Sequence, residues 1–458
     1  MTRAAGHVLA FAAPLTAVWL YALANSTLGA ATYAIPVGLS AAGLAAYGLH
    51  RAVLRDRWAL LALLAFAAFV LNISFRTREY GEAGIDWQNG LKIATWLVLL
   101  GISVANLRRI AGFVADPVIG PLFCFGVVAL LSAAYSPVPA YSAACAVGTL
   151  AYLSFACLVA REVGARPLVL TLVWTLAAYL GATWAFAAVS PDAAFAAPHG
   201  DEAGHRLQGF SGHANILAKQ AVVVVCLALA ALHRGYLGRF AGWALVALGA
   251  ATVLATGSRT AAVALALACV LVALKAKRLL LPAALALVPL LGLLALAASS
   301  STLLDLNALL GSFSRTGDAS EVLTLTGRTE LWGAAWQKIL ERPLLGHGFA
   351  SFEMIMTREW FGAADAAVGA HNTWLQCLFT LGLVGTLPVF GAFAVLLWRW
   401  KARPDAMRDV FALFLLVAGM AETEIVAIPA LLNLVFYGVL ALDAAPSPTP
   451  VPGSLCLR

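Results

Sequence analysis

Long apolar runs alternate with short polar stretches along almost the whole chain. Runs of about 20 apolar residues are typical of membrane-spanning helices, because in hydrocarbon the backbone must satisfy its own hydrogen bonds. The unbroken Ala, Leu and Val blocks lack the alternation of transmembrane β-strands. The pattern therefore predicts an all-α, polytopic integral membrane protein with about 12–14 transmembrane helices. The apolar segments lie at residues 8–24, 30–49, 58–75, 91–106, 114–134, 142–160, 167–189, 214–232, 240–256, 260–274, 279–298, 373–398, 409–421 and 430–443.

Basic residues occupy every second loop between these segments. They are Arg51, Arg55, Arg57, Arg108, Arg109, Arg161, Arg166, Arg234, Arg239, Lys275, Lys277, Arg278, Arg399, Lys401, Arg403 and Arg408. Because cytoplasmic loops are enriched in Lys and Arg, we place these loops and both termini in the cytoplasm and the other loops outside. The first segment also resembles a cleavable signal peptide, and we expect it to be retained as the first helix.

Composition and charge narrow the class of protein further. Of the 458 residues, 62% are hydrophobic and 11% are charged, whereas soluble domains carry about 25% charged residues. This excludes a soluble enzyme, a disordered protein and a coiled coil. The net charge of +7 comes mostly from the basic loops, so it does not indicate nucleic-acid binding. The seven cysteines form no CxxC or CxxH pair, and no nucleotide-binding glycine motif is present, so we expect no disulfide framework, metal site or cofactor.

Two predicted outer loops, residues 190–213 and 299–372, are too long to be plain connections, which indicates a function. In the second loop, residues 329–341 carry apolar side chains at i, i+4 and i+8, including Trp332 and Trp336. A second amphipathic piece carries Phe352, Ile355, Met356 and Trp360. We expect these helices to lie flat at the membrane interface and to roof a cavity.

Three polar residues at predicted outer helix ends are candidates for catalysis. Arg259 and Arg328 offer the planar, paired donors that bind phosphate. His371 precedes a membrane segment, where the helix dipole and a nearby arginine favour a neutral imidazole that can act as a general base. The alternatives are a boundary residue for Arg259, an exposed charge or a partner of Glu330 for Arg328, and a helix cap for His371.

A second polar group lies at the start of the membrane segment that follows the first long loop. Its candidate anion-binding residues are Arg206, His213, Asn215 and Lys219. Each basic residue among them is equally consistent with a surface or boundary charge, and Asp201 or Glu202 could pair with Arg206. Glu422 and Glu424, at another predicted outer helix end, are weak candidates for acid or base chemistry.

A lipid diphosphate is a substrate that fits these residues. Its chain would lie in the bilayer, its phosphates would bind the arginines, and His371 would deprotonate an attacking hydroxyl group. A metal would not be needed, because the diphosphate is itself a good leaving group.

Several motifs within residues 200–400 also resemble the O-antigen ligase/polymerase superfamily. They are Arg206–Phe210 with Asn215, Gly257–Thr260, Gly327–Trp332, Pro343–Gly348, Ala370–Leu375 and Gly382–Gly385. The resemblance implies a bacterial inner-membrane glycosyltransferase that uses a polysaccharide on undecaprenyl diphosphate at the periplasmic face. It also implies that Arg259 and Arg328 contact the diphosphate, and that His371 is the base of an inverting, metal-independent transfer. We add Asn372, Trp332 and Trp336 to the four polar residues above as substrate contacts.

The acceptor separates the members of this superfamily. A ligase uses lipid A–core oligosaccharide, whereas a polymerase uses another lipid-linked repeat unit and related enzymes use proteins. Polymerases often carry an Arg-x10-Gly pattern in both outer loops, and its absence at Arg206 and Arg328 favours a ligase. A transporter or flippase for lipid-linked glycans is the alternative of another class. We expect the glycan donor, the lipid A–core acceptor and membrane lipids as partners, and no nucleic acid.

The expected domain organisation follows from the same features. Residues 1–190 are expected to form N-terminal transmembrane helices. Residues 191–443 are expected to form the ligase-like catalytic membrane region, which includes the periplasmic loop 299–372. Residues 444–458 are rich in proline and are expected to be a disordered cytoplasmic tail.

Overall fold

A computed structural model of the chain describes residues 45–73, 87–196, 205–276, 328–359, 369–423 and 425–445. The chain divides into two compact units, residues 1–62 and 63–458. Several expectations lie outside the described residues. These are the apolar segments 8–24 and 279–298, most of 30–49, the residues Asp201, Glu202, Trp360 and Glu424, and nearly all of the tail 444–458.

The described part of the chain is almost entirely helical, which confirms the all-α prediction. Residues 45–53 are helical. The helices after them are α1 Arg57–Phe69, α2 Trp87–Ala105, α3 Leu107–Ile110, α4 Ile119–Leu131, α5 Pro139–Val163, α6 Ala165–Val189, α7 Pro191–Ala194, α8 Ala214–His233, α9 Arg239–Thr256, α10 Arg259–Ala276, α11 Arg328–Glu341, α12 Phe352–Glu359, α13 Thr373–Ala402, α14 Ala406–Ala418 and α15 Leu431–Ala444. A two-stranded antiparallel ribbon, β1 Phe195–Ala196 and β2 Arg206–Leu207, pairs Phe195 with Leu207.

Six of these helices, α2, α5, α6, α8, α9 and α13, are long and apolar enough to cross a membrane. A seventh candidate is the pair Leu107–Ala115 and Ile119–Ala134, which is bent by 108°. The sequence predicts one continuous segment at 114–134, but Asp116 accepts hydrogen bonds from the amides of Val118 and Ile119 and so starts a new helix. The fold is therefore a multi-pass helical membrane protein, and the total of 12–14 helices stays a prediction.

Contacts between loops divide the bundle into two ends. At one end, which we call the basic end, Arg161 donates to the carbonyl of Arg109 at 2.7 Å and Arg399 pairs with Asp116 at 2.7 Å. At the other end, the amide of Thr373 donates to the carbonyl of Gly419 at 2.7 Å. The described loops that carry Arg109, Arg161 and Arg399 thus meet at one end, which agrees with the grouping that their charge pattern indicates. Which end faces the cytoplasm stays a prediction.

Helix α13 is interrupted at Gly382, and a neighbouring loop replaces the helical hydrogen bonds that the break removes. The backbone at Gly382 has φ 57° and ψ −158°, so the amides of Leu383 and Val384 cannot reach the carbonyls one turn earlier. These amides donate instead to the carbonyls of Pro343 and Leu344, at 2.9 and 3.1 Å.

The carbonyls on the other side of the break are satisfied by the same loop. Phe379 accepts from the amide of His347 at 3.0 Å, and Thr380 accepts from the amide of Gly348 at 2.8 Å. Residues 343–348 therefore supply four hydrogen bonds across the break. Because unsatisfied backbone groups in hydrocarbon cost several kcal/mol each, this loop is what allows a broken helix at that position.

The close approach of the loop requires glycine on both sides. A Cβ on Gly382 would lie 2.4 Å from the backbone of Leu344, and one on Gly346 would lie 2.5 Å from the backbone of Thr380. Both glycines also have positive φ, at 57° and 66°. The motif Pro343–Gly348, noted in the sequence for its resemblance to the superfamily, thus bridges the break in α13 with backbone hydrogen bonds.

We expect Gly382→Ala to destabilise the protein by about 3 kcal/mol or more, because it combines a backbone clash with a conformation open essentially only to glycine. The matched control is Gly391→Ala in the same helix, where an added Cβ meets nothing within 4 Å. Thermal unfolding of the detergent-solubilised variants measures both. Equal unfolding midpoints for the two variants would contradict the requirement for glycine at the break in α13.

Candidate functional site

The buried carboxylate of Glu422 is the centre of a polar cluster at the end of the bundle opposite the basic end. Its side chain receives Arg328 Nη2 on Oε1 at 3.1 Å, and Lys219 Nζ lies 3.7 Å from Oε2. Nδ1 of His371 lies 3.9 Å from the same Oε2, and Nδ2 of Asn215 donates to Oε1 at 3.4 Å. Glu422 is 7% exposed. Side chains from α8, α11 and the segment before α13 therefore meet on one acid, which we call the Glu422 cluster.

Glu422 is fixed by the turn that ends α14. Its amide donates to the carbonyl of Ala418 at 2.8 Å, and its carbonyl accepts from Oγ1 of Thr373 at 3.1 Å. The first residue of α13 is thus tied to the turn through both its amide and its hydroxyl group. The acid and the start of α13 form one rigid unit.

Arg328 lies at the start of α11 and is held from two directions. Its Nη1 donates to the carbonyl of Ala421, next to the Glu422 ion pair. C-terminal to Arg328, α11 packs against α12 and α13 through side chains of one helical face. The packed residues are Leu331, Ala335 and Ile339 from α11, with Phe352, Met356, Ala370 and Phe379. Burial of this face sets the position of α11, and with it the position of the guanidinium group.

His371 has an unusual backbone that its neighbours hold in place. Its φ is +46°, in the left-handed region that costs a non-glycine residue about 1–3 kcal/mol. The preceding residue, Ala370, is bound on both sides. Its amide donates to Oε1 of Gln376 at 2.9 Å, and its carbonyl accepts from Nε1 of Trp332 at 2.7 Å. Strained residues that the surroundings hold so firmly are typical of functional sites.

The helix cap that the sequence considers for His371 is made by the next residue. Oδ1 of Asn372 accepts from the amides of Trp374 and Leu375, both at 3.0 Å, and its Nδ2 donates to the carbonyl of Met420 at 3.1 Å. Asn372 therefore caps α13 and joins it to the Glu422 turn. The imidazole of His371 is left to face the cluster.

Arg206 is connected to the cluster through Asn215. Its Nη2 donates to Oδ1 of Asn215 at 2.7 Å, and its Nε donates to the carbonyl of Thr256 at 2.8 Å. The side chain of His213 caps α8 by accepting from the amide of Asn215 at 3.1 Å. The two-stranded ribbon and this cap thus place Arg206 between α8 and the end of α9.

Arg259 follows three residues after Thr256, at the first position of α10. Gly257, with φ 60°, ends α9 in the left-handed conformation and allows the short connection between the apolar segments 240–256 and 260–274. The Arg259 side chain is partly buried. Its turn is bound by Arg206, and α10 packs against α14, whose C-terminal turn carries Glu422.

The cluster gathers several cations beside one buried carboxylate. Among the described residues, Lys219 and Arg328 contact Glu422 directly and Arg206 reaches it through Asn215. Burial of Glu422 opposes its ionisation, but the contact with His371 and the charges of Lys219 and Arg328 outweigh it and hold its pKa well below the usual value of 4.5. A site of this kind suits a doubly charged anion.

The sequence names most of the residues that meet in this cluster, and the structure adds two distinctions. The sequence treats Trp332 and Trp336 alike, but Trp332 binds Ala370, whereas Trp336, one turn further along the same side of α11, is 48% exposed. The sequence ranks Glu422 as a weak candidate, although Arg328, Lys219 and Asn215 all contact its carboxylate. A signal for this contact exists in the sequence, since an acid between two apolar segments has to be paired if it is buried.

Comparison with known proteins connects part of this site to a family. Residues 244–390 match the model of the O-antigen ligase family, which confirms the predicted resemblance for that part of the chain. The match contains Arg259, Arg328 and His371, but it leaves out Arg206 and Glu422. The chain is also 32% identical over 109 residues to the O-antigen ligase of Pseudomonas aeruginosa, which is 22% of this chain and 26% of that protein. The aligned region thus spans about a quarter of that relative.

We expect Trp332→Phe to lower stability by about 1–3 kcal/mol, because it leaves the buried carbonyl of Ala370 without its donor. Trp336→Phe, on the same helix, is the control and should change stability by less than about 0.5 kcal/mol. Thermal unfolding in detergent gives both values. A loss in Trp336→Phe as large as that in Trp332→Phe would show that the indole hydrogen bond does not hold this segment.

The low pKa of Glu422 predicts a loss of stability in acid. The unfolded chain binds a proton at Glu422 near pH 4.5, whereas the folded protein resists it, so this contribution is complete above pH 4.5 and is lost as the pH falls below it. Wild type should therefore exceed Glu422→Gln in unfolding midpoint at neutral pH, and the gap should narrow progressively as the pH falls below about 4.5. The exposed Glu330→Gln is the control. A gap that stays constant with pH would contradict the ionised, paired state.

Proposed function

We propose that this chain is an O-antigen ligase: a glycosyltransferase that moves a polysaccharide from undecaprenyl diphosphate to a hydroxyl group of lipid A–core oligosaccharide. The observation that carries the proposal is the convergence of Arg328, Lys219 and His371 on one buried carboxylate, at the helix ends of an apolar bundle. The family match over residues 244–390 supports the same class of reaction.

The diphosphate of the donor would bind beside the cations that converge on the cluster. The guanidinium groups of Arg206, Arg259 and Arg328 suit this task, because each can donate two parallel hydrogen bonds to phosphate oxygens. Lys219 would add a point charge from α8. The polyprenyl chain would lie in the bilayer beside the apolar helices.

His371 would act as the general base. A neutral imidazole takes the proton of the acceptor hydroxyl group while the oxygen attacks the anomeric carbon on the face opposite the diphosphate. The new glycosidic bond forms as the bond from that carbon to the phosphate oxygen breaks, and the configuration inverts. The negative charge that develops on the leaving diphosphate is stabilised by the arginines.

The membrane orientation belongs to the same proposal. If the basic end faces the cytoplasm, as the positive-inside pattern indicates, the Glu422 cluster faces the periplasm of the inner membrane. Helix α11, with Trp332 and Trp336, would then lie at the outer membrane interface. The acceptor would approach from this side.

A polymerase or protein oligosaccharyltransferase of the same superfamily would use the same donor chemistry, and the acceptor alone separates these activities. A flippase is less well supported, because transporters place their ionisable sites near the bilayer midplane, whereas the Glu422 cluster lies at one end of the bundle. Its turn, moreover, is fixed by hydrogen bonds to α13 and α14.

The proposal predicts which side chains the transfer depends on. Purified protein, undecaprenyl-diphosphate glycan and lipid A–core should give capped lipid, and His371→Ala should lower the rate by about 100-fold or more while donor binding persists. Arg259→Lys and Arg328→Lys should lose much of the activity, because lysine keeps the charge but not the paired donors. His233→Ala, at the basic end, and Arg358→Lys, on the exposed side of α12, are the controls.

Two outcomes of this assay would contradict the proposal. Near-normal turnover of His371→Ala would overturn its assignment as the base. Activity that is lost in excess chelator and restored by magnesium would contradict a diphosphate site built from cationic side chains. In cells, deletion of the gene should leave bare core and long lipid-linked polymer. Core capped by a single repeat unit would identify a polymerase instead.

A further inference from the structure

We propose that Glu422 is a positioning residue for the transfer, which holds the imidazole of His371 through one carboxylate oxygen and the guanidinium of Arg328 through the other. This inference rests on the proposed function, because it assigns a partner to the proposed base. Nothing in the family match points to it, since Glu422 lies outside residues 244–390.

The two oxygens of Glu422 have separate roles in the geometry. Oε1 accepts from Arg328 at 3.1 Å and from Asn215 at 3.4 Å, which fixes the plane of the carboxylate. Oε2 faces Lys219 Nζ at 3.7 Å and His371 Nδ1 at 3.9 Å. The contact on Nδ1 leaves Nε2 of His371 as the nitrogen available to an acceptor hydroxyl group.

A carboxylate is costly in a site that has to bind an anion, so its presence needs a physical reason. Glu422 cancels one of the positive charges and repels a diphosphate. What it provides is the connection between Lys219, Arg328 and His371, which come from three distant parts of the chain. Without an anion between them, the two cations would repel each other and His371 would lose the group that faces its Nδ1.

Within the described part of the chain, four charged or titratable groups surround the Glu422 carboxylate. Lys219 comes from α8, Arg328 from α11, and His371 from the segment before α13, while Arg206 reaches the acid through Asn215. Glu422 is the group among these that brings a negative charge to Nδ1 of His371.

In the proposed step, Glu422 neither gives nor takes a proton. The proton of the acceptor hydroxyl moves to Nε2 of His371, and the resulting imidazolium stands opposite the ionised Glu422 at Nδ1. Glu422 stays ionised throughout and stabilises the charge on the ring. Nδ1 lies 3.9 Å from Oε2, which is within ion-pair distance once the ring is protonated, and such contacts often tighten only when substrates bind.

The test is the pH profile of glycan transfer by Glu422→Gln, with undecaprenyl-diphosphate glycan as donor. Loss of the negative charge should shift the acid limb of the kcat/KM profile to lower pH by about one unit and lower kcat by about tenfold or more. The KM for the donor should stay within about threefold of wild type, or fall, because a repulsive charge has been removed. A residue with only a structural role would lower the active fraction without moving the acid limb.

Glu422→Asp and Glu330→Gln complete the series. Glu422→Asp keeps the charge and withdraws it by one methylene group, so its acid limb should stay near that of wild type while kcat falls. Because Glu422→Asp retains the buried ion pair, it serves as the second variant if Glu422→Gln unfolds. An acid limb that moves to lower pH in Glu422→Asp would overturn the inference. Glu330→Gln removes an exposed acid two residues from Arg328 and should match wild type in both parameters.

Failure of this inference is distinguishable from failure of the proposed function. If wild type transfers glycan, His371→Ala does not, and Glu422→Gln keeps the wild-type profile and turnover, the ligase proposal stands and the role of Glu422 is overturned. An unchanged profile with a uniformly lower rate overturns it as well. If wild type transfers no glycan to any acceptor, the proposed function itself fails, and the assigned role of Glu422 fails with it.

Discussion

The buried ionised carboxylate of Glu422 is the interaction on which the geometry of this end of the bundle depends. A charge that is 7% exposed is tolerated only when cations and hydrogen-bond donors surround it, and Arg328, Lys219 and Asn215 satisfy that requirement. Removing one partner of such a group leaves an uncompensated buried charge, at a cost of about 3–5 kcal/mol. The same requirement brings α8, α11 and the start of α13 together, so the energetics of one acid fix the positions of the polar groups around it.

A second constraint, on the backbone, places His371 beside that acid. Helix α13 is broken at Gly382, and the loop of residues 343–348 satisfies the amides and carbonyls that the break exposes. The same loop connects α11 to α12, so α11 is held close to α13 and Trp332 can reach the carbonyl of Ala370. The strained backbone of His371 is thus maintained by a chain of contacts that begins at the loop of residues 343–348.

The buried charges at the two ends of the bundle have different partners. At the basic end, Arg399 and Arg408 are paired with Asp116, Asp409 and Asp443, and this network holds helix ends together. In the Glu422 cluster, Arg328 and Lys219 converge on one carboxylate beside the imidazole of His371, and Arg206 reaches that carboxylate through Asn215. Guanidinium and ammonium groups are the side chains that bind phosphate. This convergence is the physical reason for proposing anion chemistry at the Glu422 cluster.

The sequence by itself determined the class of fold and the bounds of most described helices, because apolar periodicity is a local property. Short motifs and loop charge also made Arg206, Arg259, Arg328 and His371 candidates for the chemistry. Only the tertiary structure decided that Glu422 contacts Arg328 and faces His371, that Asn372 rather than His371 caps α13, and that Trp332 and Trp336 differ. Each of these depends on which distant segment lies opposite a side chain, and neither spacing nor composition along the chain contains that information.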